Sequence, residues 1–267
     1  MASNGNGPEI IEFLPDLTTK KKKGVHRPIY AEVFTNELVK GESAKVIHLM
    51  VNPFSGKKQG EKIAKQVSGM FEENGISVTM HLSTYSGELI QLAAGLTTNE
   101  SDIVAVVGGD GSLSEVVTGL MQAGSNCRVG LIPAGTGNSM ANDLSIKSTE
   151  DAVARICAGH YQTLDLAKVD MVAGLPGSEG GELTRYSTNL VTWGLGVDST
   201  IKAEKMRWMG EQRYNIASII EVLKGKQRLA KLVIDGNTVV GDFGFILGCN
   251  TIHTGKGMKL SLIHISE

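Results

Sequence analysis

Short apolar segments and helix-like segments alternate between residues 45 and 160, and no other feature constrains the fold as strongly. KVIHLMV and DIVAVV have the length and composition of buried strands. The segment after KVIHLMV places Ile63, Val67 and Phe71 at helical spacing. Because strands that alternate with helices form parallel sheets covered by those helices, residues 45–160 predict an α/β domain.

The residues on either side of this segment have a different character. Residues 161–259 contain longer strand-like runs, and KLVIDGNTVVGDFGFILG has the pattern of a hairpin that turns at DGN. We therefore expect a β-rich, mostly antiparallel second domain there. Residues 1–44 show no sustained periodicity and include the basic run Lys20–Lys23, so they predict a disordered basic tail.

Composition and charge argue against several classes of protein. Hydrophobic residues make up 41% of the chain and charged residues 20%, which is the balance of a soluble globular protein. A net charge of −2 argues against a nucleic-acid partner. The sequence has no apolar run near the roughly 20 residues that span a bilayer and no secretory signal, and the three cysteines lack metal-ligand spacing. We expect a cytoplasmic protein, and the lysines of the tail are a weak signal for peripheral contact with an anionic membrane.

Three turns rich in glycine and small residues directly follow predicted strands: NPFSGKKQG, GGDGSLSE and PAGTGNSMAND. In parallel α/β sheets, ligands bind beyond the carboxyl ends of the strands. Glycine lets the backbone approach a ligand and permits positive φ, which can point N–H groups at an anion. Ser55, Ser112 and Thr136 add hydroxyl donors. One such turn is compatible with an ordinary tight turn, but three at one edge of a sheet predict a phosphate site.

Asp110 stands at the tip of the turn GGDG. A carboxylate in a phosphate site can accept a proton from an attacking hydroxyl, or hold a Mg²⁺ that bridges phosphates. An ordinary Asp-Gly turn residue is the alternative interpretation. The sequence contains neither G-x-x-x-x-G-K-[ST] nor G-x-G-x-x-G with an acid about 20 residues later, so it predicts another kind of nucleotide site.

Together the three turns resemble the catalytic domain shared by diacylglycerol kinases, sphingosine kinases and ceramide kinases. The resemblance extends from about Lys45 to Lys259. It implies an ATP-NAD kinase-like first domain, the cofactors ATP and Mg²⁺, and phosphorylation of a hydroxyl of a sphingolipid (ceramide or a sphingoid base) or of diacylglycerol. Such a lipid lies in a membrane, so the resemblance also implies peripheral membrane contact.

The resemblance assigns roles to individual residues. Asp110 takes the position of the catalytic base, close to the metal. Lys57 and Asp165 match positions that form a polar network around that acid in bacterial relatives. The nucleotide contacts that it implies are Asn52, Pro53, Phe54, Ser55 and Gly56; Ser83, Thr84, Tyr85, Ser86 and Gly87; Gly108, Gly109, Gly111, Ser112 and Glu115; Gly135, Thr136, Gly137 and Asn138; and Arg207 and Arg213.

The second half of the chain indicates which members of this family it resembles most. WGLGVDSTIKAEKMRWMGEQRY resembles a segment of sphingosine and ceramide kinases, which includes Glu204 and the two arginines Arg207 and Arg213. The resemblance implies that these arginines reach the nucleotide phosphates, a task that suits planar guanidinium groups. Sphingosine kinases have an aspartate where this chain has Thr200, while Asp198 matches another acid of the family. Because threonine carries no negative charge, a neutral lipid such as ceramide or diacylglycerol is favoured over a protonated sphingoid base.

Two alternatives remain open. The chain could be a catalytically impaired, nucleotide-binding or regulatory member of the same family, or an enzyme of the NAD kinase type. The resemblance implies further strands after Lys259, and LSLIHISE does not match them. We therefore expect residues 260–267 to be a non-native tail, the second domain to be incomplete, and the shortened chain to have little activity. The sequence leaves the lipid and the oligomeric state undetermined.

Overall fold

The computed structural model describes residues 39–99, 101–172, 181–205, 224–225, 227–234, 236–254 and 258–259. Its central element is a four-stranded parallel sheet, in which the second to fifth strands have the spatial order β3-β2-β4-β5. This sheet confirms the predicted parallel α/β architecture. In chain order the strands are β1 (Val39–Lys40), β2 (Val46–Val51), β3 (Ser77–Leu82), β4 (Ile103–Gly108), β5 (Arg128–Pro133), β6 (His160–Tyr161), β7 (Ala167–Val172), β8 (Glu182–Ser187), β9 (Leu190–Gly194), β10 (Arg228–Ile234), β11 (Asn237–Phe243), β12 (Phe245–Cys249), β13 (His253–Thr254) and β14 (Met258–Lys259).

Helices cover both faces of the parallel sheet. Ile47 and Val51 of β2 pack in one buried cluster with side chains of the second helix, whereas Met50 packs in a second cluster with side chains of the third and fourth helices. All six residues of β4 are buried, as expected for a strand covered on both faces. In chain order the helical segments are α1 (Ser55–Lys58), α2 (Gly60–Glu73), α3 (Glu88–Ala94), α4 (Asp110–Gln122), α5 (Ser139–Asp143), α6 (Thr149–Ala158) and α7 (Leu195–Lys205).

The sequence assigns residues 39–44 to the tail, whereas the structure gives them defined contacts. β1 pairs antiparallel with β6, and the N–H of Gly41 donates to the carbonyl of Gly159 at 3.0 Å. Ala44 is 5% exposed and belongs to the core. These residues are therefore part of the folded unit, because backbone pairing and one buried methyl group attach them to it.

The described residues form two compact units, one of residues 39–190 with 250–259 and the other of residues 191–249. The first unit includes the antiparallel pair β7–β8 as well as the parallel sheet. The second contains the antiparallel hairpin β10–β11, which the sequence predicts, and α7. This β-rich, antiparallel part also agrees with the predicted fold class. The boundary expected near residue 160 stays a prediction, and residues 260–267 lie outside the described residues.

No helix in the described part of the chain is both long enough and apolar enough to cross a membrane.

Candidate active site

The loops at the carboxyl edge of the parallel sheet are joined to the neighbouring strands by backbone hydrogen bonds. The N–H of Asn52 donates to the carbonyl of Val107 at 3.2 Å, which joins the loop after β2 to β4. The N–H of Ala134 donates to the carbonyl of Gly108 at 2.8 Å, which joins the loop after β5 to the glycine turn. The three motifs predicted to form one phosphate site therefore lie side by side.

Two glycines allow these loops to approach closely. A Cβ atom on Gly135 would lie 2.6 Å from the Cα of Gly109, so the GGDG and PAGTGN turns meet backbone to backbone. A Cβ on Gly56 would lie 2.3 Å from the carbonyl oxygen of Ala134, and Gly56 has a φ of +53°. Because any larger residue would separate these loops, glycine is required here for packing.

The NPFSGKKQG loop contains a left-handed turn. Gly56, Lys57 and Lys58 have φ values of 53°, 63° and 66°, and the N–H of Gln59 closes the turn by donating to the carbonyl of Ser55 at 2.9 Å. A left-handed backbone costs a non-glycine residue about 1–2 kcal/mol. Strain of this kind is concentrated at functional sites, where the surrounding structure maintains it.

Side chains hold the same loop against the glycine turn. The Nδ2 of Asn52 donates to the Oγ of Ser112 at 3.2 Å, and its Oδ1 accepts the N–H of Phe54 at 3.0 Å. The side chains of Phe54 and Tyr85 are exposed on their loops. The predicted nucleotide contacts in the first loop and the glycine turn are therefore held in a fixed arrangement.

Asp110 is bound through both of its carboxylate oxygens. The N–H of Ser139 donates to Oδ2 at 2.9 Å, and the N–H of Met140 donates to Oδ1 at 2.9 Å. The acid therefore links the first residue of α4 to the first turn of α5. A carboxylate can accept about four hydrogen bonds, so each oxygen keeps capacity for a substrate proton.

A cavity of about 330 Å³ opens beside Asp110. One wall is formed by the starts of α4 and α5, and the other by the end of β8 and the bend that follows it. The hydroxyl of Thr188 is buried and has no hydrogen-bond partner within the described part of the chain. The residues that line the cavity are Asp110, Gly111, Ser114, Ser139, Ser187, Thr188, Asn189 and Leu190.

Glu115 connects the Ser83–Gly87 loop to α4. Its Oε1 accepts the N–H of Gly87 at 3.2 Å. Burial raises the pKa of Glu115, and the N–H of Gly87 partly offsets that increase. The contact shows that Glu115 holds the loop, while a direct contact with nucleotide stays a prediction.

Sequence reasoning missed several residues that organise these loops. Glu88 accepts the hydroxyl of Thr84 at 2.8 Å and also the N–H of Thr84, and hydrogen bonds to Thr84 and then to Tyr85 lower the pKa of Glu88. The acid in the first turn of α3 was the available signal. Asp143 and His253, which are bonded to each other at 2.8 Å, gave no local signal because they are far apart in sequence.

The structure gives less information on the remaining predicted site residues. The backbone oxygen of Asp165 accepts the Nδ2 of Asn250 at 2.5 Å. Asp198 lies on α7 and is bonded to Arg228. Thr200 and Glu204 also lie on α7, although the structure does not describe their side chains, and Arg207 and Arg213 lie outside the described residues.

The donor set at Asp110 determines what metal chemistry would fit. The described residues contain no cluster of three or more His, Cys, Asp or Glu side chains that could hold a metal ion. Mg²⁺ is usually held by one or two carboxylates together with substrate phosphates and water. Asp110 would supply the single carboxylate of such an arrangement.

Comparisons with known proteins agree with this geometry. The model of the diacylglycerol kinase catalytic domain matches residues 46–169. Sphingosine kinase 1 from Arabidopsis thaliana is 26% identical over 249 residues, which are 89% of this chain and 50% of that protein. A diacylglycerol kinase from Mycobacterium tuberculosis (strain CDC 1551 / Oshkosh) is 29% identical over 230 residues, which are 84% of this chain and 70% of that protein. A diacylglycerol kinase structure from Bacillus anthracis str. Sterne matches 82% of this chain and 68% of its own, with a TM-score of 0.57 and 19% identity.

The parallel sheet with its glycine loops around one acid has the fold of the diacylglycerol kinase structure that it matches. Residues 46–169 match the diacylglycerol kinase catalytic domain, and the chain is similar to sphingosine, diacylglycerol and ceramide kinases. It spans about half the length of the Arabidopsis sphingosine kinase that it matches.

Proposed function

We propose that this protein transfers the γ-phosphoryl group of ATP to a hydroxyl of a neutral membrane lipid, either ceramide or diacylglycerol. The observation that carries the proposal is the position of Asp110, which is fixed through both oxygens at the border between the glycine loops and the 330 Å³ cavity. A single acid placed between a phosphate-binding edge and an adjoining cavity suits transfer from a nucleotide to an alcohol.

The loops provide the nucleotide side of the site. The turns that contain Asn52–Gly56, Gly108–Ser112 and Gly135–Asn138 would surround the phosphates, and the loop Ser83–Gly87 would lie beside them. Arg207 and Arg213 would balance the phosphate charge with bidentate hydrogen bonds. Bound Mg²⁺ would neutralise charge on the β- and γ-phosphates.

The cavity provides the acceptor side. The lipid hydroxyl would lie within hydrogen-bond reach of a free lone pair on Asp110, which accepts the hydroxyl proton. The lipid oxygen then forms a bond to the γ-phosphorus as the bond from that phosphorus to the bridging oxygen breaks. ADP leaves with the electron pair of the broken bond, so charge and atoms balance.

Arg228 supports the choice of a neutral lipid. Its Nη2 donates to both carboxylate oxygens of Asp198, at 2.8 and 2.7 Å, and its guanidinium lies 5.9 Å from the centre of the Trp193 ring. The charge of Asp198 is therefore already paired. A protonated sphingoid amine would have to displace that arginine, whereas a neutral lipid needs no free acid.

The site of action follows from the two substrates. ATP is dissolved in the cytoplasm and the lipid is held in a membrane. We propose a cytoplasmic protein that meets its lipid by peripheral membrane contact.

The test is an acceptor panel with γ-labelled ATP, run on the protein of residues 1–267. The acceptors are short-chain ceramide, dioctanoylglycerol, sphingosine, NAD and fructose 6-phosphate. We expect label in the neutral lipids. Label in NAD or fructose 6-phosphate would instead support a kinase that acts on a water-soluble acceptor, such as an enzyme of the NAD kinase type. ATP binding without transfer would support a regulatory protein.

A further inference from the structure

The helix α5, whose backbone N–H groups bind the carboxylate of Asp110, is itself held at its other end. The carboxylate of Asp143, the last residue of α5, is 2% exposed. Its Oδ1 lies 2.8 Å from the ring Nδ1 of His253, and its Oδ2 accepts the backbone N–H of His253 at 3.2 Å. His253 follows Asp143 by 110 residues, so this contact is a long-range tie between α5 and β13.

The same returning segment also binds the opposite wall of the cavity. The backbone N–H of Asn250 donates to the carbonyl of Asn189 at 2.7 Å, and its Nδ2 donates to the carbonyl of Thr188 at 3.1 Å. The hydroxyl of Thr251 donates to the Oδ1 of Asn189 at 3.3 Å. Residues 250–253 therefore bind both walls of the cavity beside Asp110.

The short length of α5 makes this tie important. A helix of five residues has little stability of its own, because nucleation is unfavourable and few hydrogen bonds repay it. Its orientation must come from contacts at its ends. One end donates to Asp110 and the other accepts from His253, so a change at His253 can reach the N–H groups of Ser139 and Met140.

We propose that His253 is a positioning residue: through Asp143 and α5 it sets the position of the Asp110 carboxylate, while Asn250 sets the facing wall. The kinetic part of this inference rests on the proposed function. It goes beyond that function because it assigns a role in the transfer step to a residue that need not touch either substrate.

The test compares three changes at this tie. His253→Leu removes the ring donor. His253→Asn keeps a donor, because Nδ2 of asparagine occupies nearly the same place as Nδ1 of histidine. The double change Asp143→Leu with His253→Leu leaves no unpaired carboxylate, which guards against simple unfolding. His160→Leu, an exposed histidine of β6, is the matched control.

We expect His253→Leu and the double variant to lower kcat by about 10- to 100-fold, because a small displacement of a catalytic group has an effect of that order. We expect KM for ATP to change less than about threefold, since the nucleotide loops are untouched. His253→Asn should recover most of the lost kcat, and the His160 control should match the wild type. An unchanged kcat in His253→Leu, or no recovery in His253→Asn, would overturn the inference.

Amide hydrogen exchange at Ser139 and Met140 tests the positioning role of His253 independently of the proposed function. If the wild type phosphorylates no lipid, the proposed function fails, and exchange then decides the positioning role. Faster exchange at both amides in His253→Leu, with wild-type exchange in His253→Asn, supports the role. Identical exchange in all three proteins contradicts it.

Discussion

The backbone N–H of Met140 donates a 2.9 Å hydrogen bond to Oδ1 of Asp110, across 30 residues of sequence. With the matching bond from Ser139, this contact makes Asp110 a structural link as well as the proposed proton acceptor. A serine at the same position would have one oxygen and no charge, so it could not accept both N–H groups equally well. The link explains why an acid stands at the tip of a glycine turn.

Asp110→Asn should therefore affect both stability and transfer. The amide NH₂ of asparagine would face one of the two backbone N–H donors, which leaves that donor without an acceptor. We expect the free energy of unfolding to fall by about 1–3 kcal/mol. We expect phosphoryl transfer to fall by about 10²–10⁴-fold. Denaturant unfolding and steady-state kinetics measure the two effects, with Asp170→Asn on the exposed face of β7 as the control. Near-normal turnover would rule out the base role.

Substitutions of Glu115 can separate the effect of its hydrogen bond to the Ser83–Gly87 loop from the effect of its negative charge. Glu115→Gln keeps an oxygen for the N–H of Gly87 and removes the charge of a half-buried carboxylate, whose pKa is raised by desolvation. We expect this variant to be as stable as the wild type at neutral pH, or more stable, with an unchanged KM for ATP. Glu115→Ala leaves the N–H of Gly87 unpaired, so KM for ATP should rise several-fold. A large rise in KM in the glutamine variant would indicate that the charge itself acts on the nucleotide.

We expect substitution by valine to have opposite effects on stability at Thr188 and at Thr118. The hydroxyl of Thr188 is buried without a partner among the residues that the structure describes, whereas that of Thr118 donates to the carbonyl of Tyr186 at 3.4 Å and accepts its N–H at 3.0 Å. Thr188→Val should raise the free energy of unfolding by up to about 1–3 kcal/mol, and Thr118→Val should lower it by a similar amount. Denaturant titration of the ligand-free proteins measures both. Destabilisation by Thr188→Val would mean that its hydroxyl has a partner in solution.

The regular elements of the first unit could be predicted because each has a clear hydrophobic period. The strands at KVIHLMV and DIVAVV and the helix that contains Ile63, Val67 and Phe71 fall where the sequence indicates them. The helix α6 was missed, although Ser148 accepts the N–H of Asp151 at its start and Gly159 ends it with a φ of 74°. Those capping residues were a readable signal.

Long-range contacts could not be predicted from local patterns. RYSTNLVTW looks like one strand, but the structure divides it into β8 and β9 at a bend that Asn250 binds from about 60 residues away. The glycine loops were predicted correctly as neighbours, because parallel strands end at one edge. The partners of Asp110 depend on how α5 is oriented, and no nearby residue encodes that orientation.

Arg228 should influence the choice of lipid. Arg228→Ala would remove the partner that occupies both oxygens of Asp198. We expect the ratio of activity on sphingosine to activity on ceramide to rise, because a free acid can pair with the sphingoid amine. Thr200→Asp adds a second acid on α7 and should shift the ratio in the same direction. An unchanged ratio in both variants would show that α7 does not contact the lipid head group.

His81 should make stability depend on mild acidity. Burial, and then the neighbouring His48, lower the pKa of His81 below its ordinary value of 6.5. The unfolded chain therefore takes up this proton more readily than the folded chain, so the free energy of unfolding should fall as the pH drops below about 6.5 and level off below the lowered pKa. His81→Gln should flatten this dependence in denaturant titrations from about pH 8 to about pH 5. An identical pH dependence in the variant would contradict the assignment.

A competition assay tests the central claim most directly. Short-chain ceramide, dioctanoylglycerol and sphingosine are mixed at equal concentrations with γ-labelled ATP, Mg²⁺ and the protein, and the labelled lipids are separated and identified by mass. We predict that most of the label enters ceramide or dioctanoylglycerol as the phosphate ester, and that Asp110→Asn abolishes nearly all of it. No labelled lipid at all, or label confined to sphingosine, would contradict the proposal that this protein phosphorylates a neutral lipid.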